Sequence, residues 1–238
     1  MQRSVAATEQ DWSLAPDYSF TDRDVSSKRG QPQPTKTHRV LMINGSPYNE
    51  LVAVNDAPLS AEEQAREQEK LKRVIAKRSP ESAAARQRRV AGYLRQRKQD
   101  HAMLSEMIQA FHYTLTGEDT VNGRKVWVLA ATPKPGYVPH NREGRMLQHM
   151  RGNLWVDQAT YQWVKVQAQV VAPVSMYGFL AQIKPGTQFE LEQWPLTSGL
   201  WLPKRFVVTV KATALGIRNE NSRDEDDYSD YRLESPAE

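Results

Sequence analysis

The stretch from Arg151 to Val170 constrains the fold more than any other part of the sequence. Apolar and polar residues alternate along residues 151–157 and again along residues 161–170, and Asp157 begins the turn between them. Alternation with a period of two is typical of a β-strand that has one buried face and one solvated face. Two such strands joined by a short turn predict an antiparallel hairpin, whose apolar face must then be covered by other elements.

Other parts of the chain carry the same signals for paired strands. Asn44-Gly45 and Asn122-Gly123 predict tight hairpin turns, because Asn and Gly readily adopt the positive φ that such turns require. Alternating runs continue through the second half of the chain to residue 233. The sequence therefore predicts an α+β fold with one large, curved, antiparallel sheet of about ten or eleven strands.

A highly charged insertion interrupts the strands. Ser60 and Glu63 have the spacing of a capping box, which predicts the start of a helix. Ser79-Pro80 predicts the end of that helix and the start of a second one that runs to about Ala110. We therefore predict a single domain over residues 1–238, with a helical hairpin inserted at about 60–110.

The second predicted helix carries an apolar stripe on one side and basic residues on the other. The stripe consists of Val90, Leu94, Leu104 and Ile108, which recur at the spacing of an amphipathic helix. We predict that this stripe docks on the apolar face of the sheet as a lid. The basic side offers a docking surface for a partner protein or for an anionic membrane surface.

Alternation within the strands assigns a set of side chains to the apolar face of the sheet. They are Val164, Val166, Phe189, Leu191, Phe206 and Val208. One interpretation is that they form an ordinary core, in which each buried side chain contributes about 1.5–3 kcal/mol. The other is that part of this face stays open beneath the helical lid as a site for an apolar ligand, in a pocket of several hundred Å³.

The sequence offers little chemistry for catalysis. The absence of cysteine excludes disulfides, thiolate metal sites and cysteine nucleophiles. The five histidines form no metal-binding pair, and no serine-nucleophile elbow, phosphate-binding loop or dinucleotide fingerprint occurs. Net charge is only +4, and no aromatic residues interleave with the basic ones. We expect no enzymatic activity, no cofactor, no metal and no nucleic-acid partner.

Several motifs, taken in order, resemble one known family. Residues 117–133 form a strand–Asn-Gly–strand unit that ends in proline, and Gly-Asn-Leu-Trp-Val-Asp follows at 152–157. Gly-Leu-Trp-Leu-Pro occurs at 199–203, and Tyr-Ser-Asp-Tyr at 228–231 lies near the end. Over about residues 111–233 this order is similar to that of the outer-membrane lipoprotein-sorting (LolA-like) superfamily, in a branch of bacterial envelope proteins with a charged helical insertion.

The resemblance implies a periplasmic half-open β-barrel covered by helices, with a concave apolar face that holds acyl chains. Lipid or lipoprotein acyl chains would be its partners, and we expect a monomer. The first residues show no apolar core of a signal peptide, so a periplasmic location implies a signal segment that is not present in this chain. The alternative is an envelope interaction module with a closed core, which would use the basic helical hairpin as its docking surface.

Overall fold

The structure is a computed structural model, and it describes residues 1–139, 142–175, 181–197, 199–215 and 218–234. The side chains of 99–105, 142, 143 and 197 are not described. The α-helices of these ranges are α1 (Gln2–Leu14), α2 (Ala61–Arg78), α3 (Ala83–Ala110) and α4 (Arg142–Leu147). The strands are β1 (Tyr18–Lys28), β2 (Gln31–Pro32), β3 (Lys36–Ile43), β4 (Ser46–Val54), β5 (Ala57–Pro58), β6 (Phe111–Val121), β7 (Arg124–Pro133), β8 (Met150–Asp157), β9 (Trp163–Val170), β10 (Val174–Ser175), β11 (Ala181–Ile183), β12 (Gln188–Thr197), β13 (Leu200–Val210), β14 (Ala212–Ala214), β15 (Arg218–Asn219) and β16 (Ser222–Leu233).

Twelve of these strands form one antiparallel sheet. Their order is β5-β4-β3-β1-β16-β13-β12-β9-β8-β7-β6, and β2 pairs beside β1. The predicted α+β class and large antiparallel sheet are confirmed, and the sheet is not closed into a barrel across the described residues. A second, four-stranded sheet has the order β10-β11-β14-β15.

The helical insertion forms as predicted, with one change at its central turn. Ser60 and Glu63 make the predicted capping box, since each side chain accepts a hydrogen bond from the other residue's backbone N–H. Helix α2 ends at Arg78, but α3 begins at Ala83 rather than at the predicted Pro80. The reason is that the Ser82 hydroxyl caps the helix by accepting from the N–H of Ala85, three residues on.

Two arginines fix the turn between α2 and α3 to the tip of the β3–β4 hairpin. The Arg78 guanidinium donates to the carbonyl oxygen of Ser46 at 2.9 Å. The Arg89 guanidinium donates to the carbonyl of Asn44 at 3.1 Å and pairs with the Glu81 carboxylate at 2.7 Å. In return, the Asn44 side chain donates to the carbonyl of Arg78 at 2.8 Å. This end of the helical hairpin is therefore held to the sheet by polar contacts.

Helix α3 is about as long as the large sheet is wide. Its 28 residues span about 42 Å at a rise of 1.5 Å per residue. The ten strands from β4 to β6 are separated by nine gaps, or about 43 Å at a spacing of 4.8 Å. The helix starts near the β3–β4 turn and runs directly into β6 at the other end of the sheet.

Among the described residues, no helix combines the length and apolar composition that crossing a bilayer requires.

Three clusters of buried side chains form the core. The first joins the end of α3, helix α4 and strands β6–β9, and contains Ala110, Phe111, Ala131, Leu147, Met150, Val170 and Val174. The second contains Val126, Val164 and Trp201. The third contains Leu154, Val156 and Trp163, with Met1 packed against it. The core therefore lies mainly at the β6–β9 side of the large sheet.

Candidate functional site

Strand pairing places two adjacent rows of mostly apolar residues on one face of the large sheet. Paired residues in neighbouring strands point to the same side, as do residues two apart in one strand. The first row consists of Leu129, Leu154, Val166, Leu191 and Phe206. The second row consists of Ala131, Gly152, Ala168, Phe189 and Val208. We call these two rows the apolar face.

Five of the six side chains predicted to contact a ligand lie together on the apolar face. They are Val166, Phe189, Leu191, Phe206 and Val208. All five are half-buried, whereas Leu154 in the same rows is only 3% exposed. The apolar face is therefore covered more completely over β8 than over β12 and β13.

Val164, the sixth predicted contact, does not lie on the apolar face. The pairing of β8 with β9 shifts by one residue between Trp155 and Val156, which leaves Val164 as the extra residue of a β-bulge. Its side chain packs with Val126 and Trp201 in the second core cluster. The assignment of Val164 to this face is corrected, because a bulge breaks the alternation without changing the pattern of residue types.

The predicted lid residues that the structure describes do not lie together on one surface. Val90 faces the β3–β4 turn, where a Cβ on Gly45 would lie 3.2 Å from its methyl group. Leu94 is 49% exposed, and Ile108 is half-buried near the end of α3. The side chain of Leu104 lies outside the described residues. The first half of α3 is thus at the hairpin tip, because Arg78 and Arg89 fix its start there.

The space between α3 and the apolar face is small where the side chains are described. A cavity of about 20 Å³ lies among Met107, Phe111, Tyr113, Met150 and the second row of the face. The sequence predicted a pocket of several hundred Å³ beneath the helical lid. Instead, the large side chains of Met107, Phe111, Tyr113 and Met150 occupy most of the space between α3 and the apolar face. Because 20 Å³ holds no more than about one water molecule, an acyl chain could enter only if a covering element moved.

The apolar face ends in a group of carboxylates. Phe206 pairs with Asp226, which pairs with Asp24, and Val208 pairs with Asp224. Asp22 lies two residues from Asp24 on the same side of β1. We call Asp22, Asp24, Asp224 and Asp226 the acidic patch.

Burial and mutual repulsion disturb the titration of the acidic patch. Burial, together with repulsion from the neighbouring Asp226 and Asp24 carboxylates, raises the pKa of Asp22 to about 6. Burial raises the pKa of Asp226 as well, with repulsion from Asp24 and Asp224. Within the described residues, no group of three or more His, Asp or Glu side chains is arranged to hold a metal ion. The patch therefore disfavours an anionic group beside the apolar face and favours a cationic one.

Sequence reasoning missed the acidic patch, although half of its signal was visible. Asp22 and Asp24 alternate with Phe20 in a predicted strand, so all three share one face. The other two carboxylates, Asp224 and Asp226, lie on β16. This strand pairs with β1 although the two are about 200 residues apart in the sequence. Alternation within one segment cannot identify such a distant partner strand.

The opposite face of the sheet carries a ladder of ion pairs, which we call the charged face. Lys165 pairs with Glu192 at 3.8 Å, and Arg205 pairs with Glu225 at 2.5 Å. Arg205 also approaches Asp227 at 3.7 Å. Solvated pairs of this kind each contribute about 0–1 kcal/mol. The charged groups of this face are therefore already paired with one another.

Helix α1 packs against the third core cluster through a polar side. Its buried residues are Ser4, Thr8 and Asp11. The Ser4 hydroxyl accepts a hydrogen bond from Nε1 of Trp163 at 2.6 Å, and Trp163 is 2% exposed. Because the fully buried residues of α1 are polar, its displacement would cost less than that of a helix with fully buried apolar side chains.

Replacing Asp11 with asparagine is expected to stabilise the protein at neutral pH. Asp11 is 4% exposed, and burial raises the pKa of its carboxyl to about 6, against the opposing effects of the Trp201 backbone and the Gln162 side chain. Because the pKa in the folded protein lies above the usual value for an aspartate, the wild type loses stability as the pH rises from about 4 to about 6. Asparagine avoids this loss, which amounts to about 1–3 kcal/mol.

Urea unfolding of both proteins at about pH 4 and about pH 7.5 measures this effect. The advantage of Asp11→Asn should be present at the higher pH and absent at the lower one. An equal difference at both pH values would show that the carboxyl does not titrate as described. Asp230→Asn makes the same substitution at an exposed position and serves as the control.

No family model matches this chain, and no curated protein matches it. Among solved structures it is similar to a LolA superfamily protein from Nitrosomonas europaea, with 12% identity, a TM-score of 0.35, and coverage of 98% of this chain and 94% of that one. It is also similar to a putative outer membrane lipoprotein-sorting protein domain from Vibrio parahaemolyticus, with 12% identity, a TM-score of 0.39, and coverage of 100% and 94%. The MucA/MucB complex of Pseudomonas aeruginosa matches with 12% identity, a TM-score of 0.25, and coverage of 98% and 99%. The likeness concerns the fold and assigns no residue.

Proposed function

We propose that the protein is a non-catalytic periplasmic carrier or sensor that binds a lipid acyl chain, or another apolar ligand, on the apolar face. The observation that supports this function is the incomplete cover over β9, β12 and β13. Five apolar side chains there lie in adjacent rows and remain half-buried, whereas Leu154 on β8, in the same rows, is only 3% exposed. A contiguous apolar surface that the protein does not cover itself is typical of a binding site.

Where the side chains are described, the cavity under α3 holds only about 20 Å³, so an acyl chain could enter this part of the face only if a cover moved. The start of α3 is fixed by Arg78 and Arg89, so the movement must come from elsewhere. Helix α1 is the candidate, since its fully buried residues are polar and Ser4 accepts a hydrogen bond from Trp163 there. We propose that displacement of α1 exposes the third core cluster and extends the apolar face.

Replacing Phe189 with aspartate tests the proposed site. The new carboxylate would lie beside Ala168 and Val208, and an acyl chain could cover it only by desolvating a charge. We expect affinity for a fluorescent fatty acid to fall by at least tenfold. The matched control is Val138→Asp, which introduces the same charge at a position that is 74% exposed and should bind like the wild type.

Circular dichroism and thermal unfolding of both variants separate loss of the site from loss of the fold. If Phe189→Asp does not fold, Leu191→Ala probes the neighbouring row with a smaller change, and a two- to tenfold loss of affinity is expected. Unchanged binding by a folded variant would remove β12 from the site.

The second candidate function is an interaction module that uses the helical hairpin as its docking surface. Two observations favour it: the small cavity under α3, and helix α2, in which no residue is fully buried. The Arg66 and Arg73 side chains of α2 are 64% and 75% exposed. Native mass spectrometry of protein purified from a bacterial periplasm distinguishes the two functions. A co-purifying lipid supports the carrier, whereas a bare mass together with binding to anionic but not zwitterionic vesicles supports the module.

A further inference from the structure

A second cavity, of about 430 Å³, lies over strands β7, β8, β9 and β12. Thr132 lines it on β7, and the other polar side chains in the lining are Arg151, Asn153, Gln167, Gln169, Gln188 and Glu190. Small-molecule sites typically have volumes of about 300–1,000 Å³, so the cavity is large enough for a ligand. None of the residues predicted from the sequence as ligand contacts supplies its polar lining.

Strand register places this cavity on the charged face, which is the side of the sheet opposite the apolar face. Arg151, Gln169 and Gln188 pair across three strands and form one wall. Asn153, Gln167 and Glu190 pair in the same way, two residues along each strand, and form the other wall. Residues between the walls, such as Gly152 and Ala168, point to the apolar face, so they contribute backbone to the floor. We call this cavity the amide groove.

The walls of the amide groove present unused hydrogen-bonding groups. Gln167 donates to the Glu190 carboxylate at 3.4 Å, a long contact that leaves its other amide hydrogen and its carbonyl oxygen available. In the part of the chain that the structure describes, the side chains of Arg151, Asn153, Gln169 and Gln188 have no protein hydrogen-bond partner. The neighbouring row on the same face is different, because its charged side chains are already paired with one another.

The chemistry of the walls selects an uncharged ligand rich in hydroxyl groups. Each of the four carboxamides offers a donor and an acceptor, and a hydroxyl group needs both. Arg151 and Glu190 lie in opposite walls and give the groove no net charge. Among the lining residues, the one aromatic ring and the one large apolar side chain are those of Phe189, which points to the other face. An acyl chain or a strongly charged ligand would therefore leave these groups unsatisfied.

We propose that the amide groove binds a short neutral oligosaccharide, independently of the apolar face. The four strands span three gaps, or about 14 Å, so the groove accommodates a chain of sugar rings laid across them. Hydroxyl groups would bridge the two carboxamide walls, and the outer side of the ligand would stay hydrated. Carriage of an apolar ligand and recognition of a saccharide would then use opposite faces of the same sheet.

The test is a titration of isotope-labelled protein followed by NMR, with chitotriose, maltotriose and cellotriose as the probes. We expect one of the three to shift backbone and carboxamide signals of the two walls, and to leave the signals of Phe206 and Val208 unchanged. Replacing Gln169 and Gln188 together with alanine should weaken binding of that sugar at least tenfold. The control is Gln33→Ala, an exposed glutamine in the loop after β2, which should leave the affinity unchanged.

Three results would overturn the proposal. One is the absence of wall shifts with all three sugars at millimolar concentration, and another is a set of shifts confined to the apolar face. The third is equal affinity of the double variant and the wild type, with both proteins folded. Because the replaced glutamines are exposed, thermal unfolding of the double variant should match that of the wild type, so its binding can be measured.

Discussion

Gly152→Ala is expected to lose more than about 3 kcal/mol of folding stability. A Cβ at this position would lie 2.2 Å from the carbonyl oxygen of Gln167 and 2.9 Å from the Cα of Ala168. Both are backbone atoms of β9, so no side-chain rotation relieves the clash. Strands β8 and β9, which pair from Met150 opposite Val170 to Val156 opposite Trp163, would have to separate.

Urea unfolding of the purified variant measures this loss, and a lower yield of soluble protein should accompany it. The matched control is Gly117→Ala in strand β6, where a Cβ would meet nothing within 4 Å. That variant should differ from the wild type by less than about 1 kcal/mol. If both variants unfold at the same urea concentration, the close approach of β8 and β9 at Gly152 is wrong.

Asp157→Ala is expected to cost about 3–5 kcal/mol, because it leaves buried partners unsatisfied. The Asp157 carboxylate is 2% exposed and ends strand β8. Its Oδ1 accepts hydrogen bonds from the N–H groups of Ala159 and Thr160, at 3.0 and 2.8 Å. Its Oδ2 accepts from the Arg124 guanidinium at 2.6 Å. The Asp157 side chain thus holds the turn between β8 and β9 in place and also pairs with the Arg124 guanidinium of β7.

The same contacts make the contribution of Asp157 depend on pH. Burial acts to raise the pKa of this carboxyl, but Arg124 and Thr160 outweigh it and hold the pKa below the usual value. A lowered folded pKa means that the stabilisation is present above the unfolded value and is lost as the pH falls through the folded one.

The loss caused by Asp157→Ala should therefore be large at pH 7 and shrink in acid, as measured by urea unfolding at both pH values. Asp119→Ala removes an exposed aspartate from β6 and should cost less than about 1 kcal/mol. An equally small effect at Asp157 would mean that the turn does not depend on its carboxylate.

The long strands and their turns could be predicted because their signals are local. Asn44 and Asn122 have φ values of 50°, and each is followed by a glycine with positive φ, as a two-residue hairpin turn requires. Period-two alternation likewise placed Val166, Phe189 and their neighbours on one face, since no bulge interrupts the pairing there.

The parts that could not be predicted depend on contacts between distant segments. Val164 does not lie on the apolar face as alternation predicted, because β9 has a bulge opposite Trp155 and Val156. Residue types alone do not reveal a bulge. The start of α3 lies at the tip of the β3–β4 hairpin because Arg78 and Arg89 donate to carbonyl oxygens there. In the sequence these arginines are indistinguishable from the other basic residues of the insertion.

The pairing of β1 with β16 has a consequence for how the protein is made. It joins Tyr18 to Leu233 in the middle of the large sheet, so the two halves of the sheet meet only through strands at opposite ends of the chain. During synthesis, the edges of β1 and β13 stay unpaired until the ribosome has released the segment that forms β16. Unpaired strand edges recruit other chains, so a nascent copy of this protein is prone to aggregate until its last strand arrives, and these two edges are where a chaperone would act.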